Sequence, residues 1–77
     1  MIIFTSHSLL KLKQRKISKN LVIKTFKNPE RISKSYSNRE ICYKKFGNLY
    51  LKVVYKKEDK NIIVITQYWT KEVISNK

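Results

Sequence analysis

Ile41-Cys42-Tyr43-Lys44-Lys45-Phe46-Gly47-Asn48-Leu49-Tyr50-Leu51-Lys52-Val53-Val54-Tyr55-Lys56 sets two β-rich runs on either side of the only glycine in the chain. A Gly-Asn pair between such runs fits a two-residue hairpin loop, because glycine accepts the positive φ that the reversal demands. The loop puts Phe46 opposite Leu49, and every pair behind it follows. Residues that pair directly share a face. One face collects Cys42, Phe46, Leu49, Leu51, Val53 and Tyr55, with Lys44 as the misfit. The other collects Tyr43, Lys45, Tyr50, Lys52 and Lys56 around Ile41 and Val54. The first face is expected beneath a helical layer, the second against solvent or a ligand.

Outward from this hairpin the period of two continues. Ile32 to Tyr36 and Ile62 to Tyr68 read as further strands, with turns at Ser37-Asn38 and at Lys57-Glu58-Asp59-Lys60. The four runs make an antiparallel meander, and the uniformly apolar last strand is expected at its centre. Before Arg31 the pattern is helical. Ile2 to Phe4 reads as a short strand, and Thr5 or Ser6 caps a helix with Leu9, Leu10 and Leu12 on its buried side. Ser18 caps a second helix whose buried stripe is Leu21, Val22 and Phe26, and Asn28-Pro29 ends it. The expected fold is α+β, one domain over residues 1–77: a short N-terminal strand and two helices packed on one face of an antiparallel sheet.

Composition points to a polyanionic partner. Eighteen Lys and Arg face five Asp and Glu, a formal charge of +13 on 77 residues, and the first acidic residue is Glu30. Such a field draws in nucleic acid, although an AT-rich coding sequence also enriches lysine. A domain this small has a net stability of about 3–5 kcal/mol, and cationic repulsion subtracts from it. An acidic protein partner that covers the basic surface is therefore expected to stabilise it. One cysteine leaves no internal disulfide and no zinc set. The N-terminus is too brief for a signal peptide and no apolar run reaches membrane length, so the expected location is cytoplasmic.

Tyrosine rings among ammonium groups stack bases while holding their phosphates, so Tyr43, Lys45, Tyr50, Lys52 and Lys56 are the candidate RNA-binding set. The same residues also suit a plain solvated sheet face. Tyr68 and Trp69 could close the groove or simply pack. Glu30, Glu40, Glu58, Asp59 and Glu72 show no spacing for a two-metal site or a carboxylate pair, and Gly47 alone makes no phosphate loop. Metal-free RNA cleavage needs a base for the 2′-hydroxyl, a donor for the leaving oxygen and fixed cations for the developing charge. No cofactor is called for. The catalytic candidates are His7, Arg15, Lys52 and Tyr68, with Lys11 as a phosphate contact. A neutral His7 at a helix start could act as base, or orient the helix on the sheet. Arg15 could equally complement the helix C-terminal dipole.

The head His7 to Ser18, with Arg15 eight residues after the histidine and then Lys16-Ile17-Ser18, is followed by Val22, Asn28-Pro29, Leu51-Lys52-Val53-Val54 and Ile63-Val64-Ile65-Thr66. In this order the chain resembles a small uncharacterised bacterial and archaeal domain family grouped with the RelE/ParE toxins, near BrnT. The resemblance implies two helices on a curved antiparallel sheet. It further implies a metal-independent mRNA endoribonuclease that blocks translation, with an acidic antitoxin as its partner. Only His7 and Arg15 fall on the recurring head motif. The arginine-rich terminal strand and following helix of BrnT-like proteins are missing. A non-catalytic RNA- or DNA-binding module, or a ParE-like toxin directed at gyrase, are the other readings.

Overall fold

A computed structural model describes residues 1–35 and 37–71. Tyr36, expected to end the second strand, and Glu72 lie outside the described residues. The order is β1 (Ile2–Phe4), α1 (Ser6–Arg15), α2 (Lys19–Lys27), β2 (Arg31–Lys34), β3 (Arg39–Phe46), β4 (Leu49–Glu58) and β5 (Asn61–Thr70). The fold is α+β. Both helices lie on one face of a five-stranded sheet of order β1-β5-β4-β3-β2.

The hairpin has the expected register, with Phe46 opposite Leu49 and Tyr43 opposite Lys52. Gly47 has a φ of 68°, which an L side chain adopts only under strain. Ser37 and Asn38, both at positive φ, make the β2–β3 reversal. The β4–β5 turn contracts to Asp59-Lys60 because both strands run on to the Glu58–Asn61 pair.

Three expectations need correction. The sheet is mixed rather than wholly antiparallel: β1 pairs parallel with β5 at the far edge, Ile3 opposite Ile63. The central strand is β4, not β5, because β3 and β2 lie on one side of it and β5 and β1 on the other; β1 covers only Ile62 to Val64 and leaves the rest of that edge of β5 to α1. On α1 the buried residues are Ser8 and Leu12, one turn apart, whereas Leu9 and Leu10 are 43% and 54% exposed. The helix lies edge-on over β5, which admits one narrow stripe of positions i, i+4 and i+7.

Under the helices sit Leu12, Ile17, Val22, Cys42, Leu51, Val53, Tyr55 and Val64. Thr5 caps α1 by accepting from the Ser8 N–H at 3.0 Å, and Ser18 caps α2 by accepting from the Leu21 N–H at 3.3 Å. Phe26 meets the Tyr55 ring edge-on with centroids 4.7 Å apart. The misfit Lys44 is resolved by α2: its ammonium donates to the Asn28 carbonyl at 3.1 Å, at the helix C-terminus where a cation is favoured.

Burial favours the protonated form of two core groups. The Cys42 thiol is pushed up to about 12 by burial and secondarily by the Glu40 carboxylate. Tyr55 is raised by burial, then by Cys42 and Glu40. The unfolded chain therefore releases these protons first, and the stability they contribute is complete below about pH 9 and lost as the pH rises towards the folded values. Relief of lysine repulsion acts the other way, so the comparison is with Cys42→Ala, which shares it. Thermal melts are expected to show the parent losing stability relative to that variant by about 1.4 kcal/mol per pH unit above pH 9. Parallel curves between pH 9 and 11 would refute a proton held by the buried thiol.

Candidate nucleic-acid interface

The side of the sheet away from the helices is defined by direct pairing. Tyr43, Lys52 and Tyr68 stand in one row across β3, β4 and β5. Tyr68 reaches this row only because of a bulge. Val54 pairs with Thr66 and Tyr55 with Val64, so Ile65 is the extra residue. Strict alternation would send Val64 and Tyr68 to the same side. With the bulge, Ile62, Val64, Gln67 and Trp69 face the helices, while Ile63, Thr66, Tyr68 and Thr70 face away. Trp69 accordingly packs edge-on against Phe46, centroids 6.2 Å apart, and does not close a groove with Tyr68.

Arg15 joins this row from the helix layer. It continues the Ser8–Leu12 stripe, and its guanidinium passes round the part of the β5 edge that β1 leaves uncovered. There it donates to the Gln67 carbonyl at 2.8 Å and to the Thr66 hydroxyl at 3.4 Å, with the guanidinium carbon 5.5 Å from the centroid of the Tyr68 ring. A buried clamp holds α1 in place for this reach. The Ser8 hydroxyl donates to Gln67 Oε1 at 2.6 Å, and the Gln67 amide donates back to the Ser8 carbonyl at 2.9 Å. Both side chains are fully buried, where a lost partner costs about 1–3 kcal/mol. A serine and a glutamine 59 residues apart give no sign in the sequence that they pair.

Lys52 occupies the middle of the row. Its ammonium lies 5.1 Å from the Tyr68 centroid and 5.8 Å from that of Tyr43. Partial burial works against its charge, but attraction to the Tyr68 oxygen, and then to that of Tyr43, outweighs this and raises its pKa above the usual lysine value. Lys52 is therefore a fixed cation at physiological pH. Arg15 and Lys52 straddle one phenol, and together they can hold a phosphate against the Tyr68 hydroxyl.

The other candidates are distributed unevenly. Tyr43 is 2% exposed, so its ring supports Lys52 and is not presented for base stacking. Lys45 and Tyr50 pair in the next row, with the Lys45 backbone N–H donating to the Glu30 carboxylate at 2.6 Å. That carboxylate dilutes the positive field there. Lys56 is on the correct side but ion-paired with Glu58 at 3.5 Å. Lys11 donates to Gln14 on its own helix. His7 is exposed on the first turn of α1 and its side chain makes no hydrogen bond or ring contact among the described residues; it stands two turns from Arg15, about 12 Å along the axis.

A cleft of about 330 Å³ opens instead beside the β2–β3 turn, lined by Lys34, Ser35, Asn38, Arg39, Glu40 and Lys57. Glu40 offsets its cations, accepting from the Tyr55 hydroxyl at 3.4 Å and lying 4.0 Å from Lys57. No group of three His, Cys, Asp or Glu side chains able to hold a metal forms among the described residues, and no described helix is long and apolar enough to cross a membrane.

One family model, described as Domain of unknown function (DUF4258), matches residues 4–69. No curated protein matches the chain, and no solved structure matches it.

Proposed function

The chain belongs to the DUF4258 family, and we propose that it is the toxin of a toxin–antitoxin pair, a cytoplasmic endoribonuclease that cuts single-stranded message without a metal ion. The observation that carries this reading is the pair of cations set 5.5 and 5.1 Å from one tyrosine ring on the helix-free side of the sheet. The charge of +13 supports it, as does the resemblance of the chain's ordered motifs to a small domain family grouped with the RelE/ParE toxins.

Cleavage in this reading begins when the 2′-oxygen attacks the adjacent phosphorus. Lys52 and Arg15 hold the phosphoryl oxygens as negative charge builds on them. The Tyr68 hydroxyl gives its proton to the departing 5′-oxygen and regains one from water, which also takes the proton of the 2′-hydroxyl. The products are a 2′,3′-cyclic phosphate and a free 5′-hydroxyl. His7 stands apart from these groups, so Tyr68 carries the proton transfer. An acidic antitoxin would cover the basic surface and relieve its self-repulsion.

The test is incubation of the purified protein with end-labelled single-stranded RNA in excess chelator. Fragments ending in cyclic phosphate are expected, together with growth arrest on expression. RNA that is bound, with steep salt dependence, yet returned intact would replace the nuclease by a binding module. DNA damage signalling with intact message would instead favour a gyrase-directed toxin.

A further inference from the structure

Arg31 pairs with Tyr43 across the β2–β3 ladder, in the row that runs on to Lys52 and Tyr68. Direct partners share a face, so Arg31 stands on the helix-free side at the open edge of the sheet. It is exposed, and its side chain makes no hydrogen bond, ion pair or ring contact among the described residues. The row therefore reads Arg31, Tyr43, Lys52, Tyr68, and then Arg15 from α1: cation, ring, cation, ring, cation. Two strand spacings, roughly 10 Å, separate Arg31 from Lys52. Neighbouring rows are broken by Ile41, Val54 and Thr66, or lie beside the Glu30 carboxylate.

We infer that Arg31 is a distal phosphate contact, and that a single strand of RNA crosses the sheet perpendicular to its strands, from Arg31 over Lys52 to the Arg15–Tyr68 pair. This rests on the RNA reading of the cluster above. The buried Tyr43 is the spacer that separates the first two cations, and the half-buried Tyr68 separates Lys52 from Arg15. A path of this length takes on the order of four nucleotides, the lower end of the range for single-strand-binding sheets. Arg31 reads no base. Its guanidinium acts on the backbone, so its contribution is electrostatic and independent of sequence.

The test uses 2′-O-methyl uridine oligonucleotides of three to twelve residues, which cannot be cut, so that binding is measured apart from cleavage. Anisotropy titrations across a salt series should show Arg31→Gln weakening binding three- to tenfold, with the log-log salt slope shallower by about 0.7, one phosphate contact on a single strand. Lys24→Gln, an exposed lysine on α2 in the opposite layer, should leave the slope unchanged. Equal slopes for Arg31→Gln and the parent, or an equal loss for Lys24→Gln, would overturn the crossing path and leave the Arg15–Lys52 site standing. A parent protein that binds none of the oligonucleotides would overturn the functional reading and the path together.

Discussion

Lys52→Met is expected to slow RNA cleavage by about 10²–10³-fold, the usual cost of removing one fixed group that stabilises charge in a transition state. Methionine keeps the length of the stem between Tyr43 and Tyr68 and deletes only the ammonium. In the resting protein the substitution removes two cation–π approaches at a half-buried position, worth roughly 0.5–1 kcal/mol each. The fold should therefore survive while the rate collapses. Single-turnover cleavage, measured at matched circular dichroism, separates the two effects. A rate within threefold of the parent would remove Lys52 from the chemistry. Because the Lys52 pKa is raised rather than lowered, the group is a charge carrier and not a base, so its contribution should not vary with pH between 6 and 9.

Leu51→Ala, one residue earlier, should do the reverse. Leu51 is fully buried on the central strand and faces the helices. Truncating such a leucine costs about 2–5 kcal/mol, against a total of about 3–5 kcal/mol for a domain of this size. The variant is expected to be largely unfolded at 25 °C, or to melt far below the parent, as followed by far-ultraviolet circular dichroism and urea titration. A cooperative melt within a few degrees of the parent would mean that the core lies elsewhere. These two adjacent substitutions separate because side chains on a strand alternate between faces.

The pattern around Gly47 carries much of the architecture by local means. One tight reversal and an alternation of period two are enough to sort Cys42, Leu51 and Val53 from Lys45 and Lys52. Thr5 and Ser18 announce both helices because each hydroxyl satisfies a backbone donor within three residues. Helix faces were less legible. Leu9 and Leu10 look as apolar as Leu12, and only the edge-on seating of α1 on β5 determines which is buried. Tyr43 was legible as to side but not as to burial, since exposure depends on what packs around a ring and not on its place in the alternation.

The sequence by itself determined the α+β class, the hairpin register, the helix caps and the cationic character of the chain, all of which depend on residues near one another along it. The tertiary structure alone decided the parallel edge strand, the bulge at Ile65 that turns Tyr68 towards Lys52, and the passage of Arg15 round the exposed edge of β5. The first and last are settled by how α1 and β1 share one edge of β5, where the pairing residues stand far apart along the chain, and the bulge by the way β5 docks on β4. No local period encodes such a pairing, because its free energy exists only once both partners are in place.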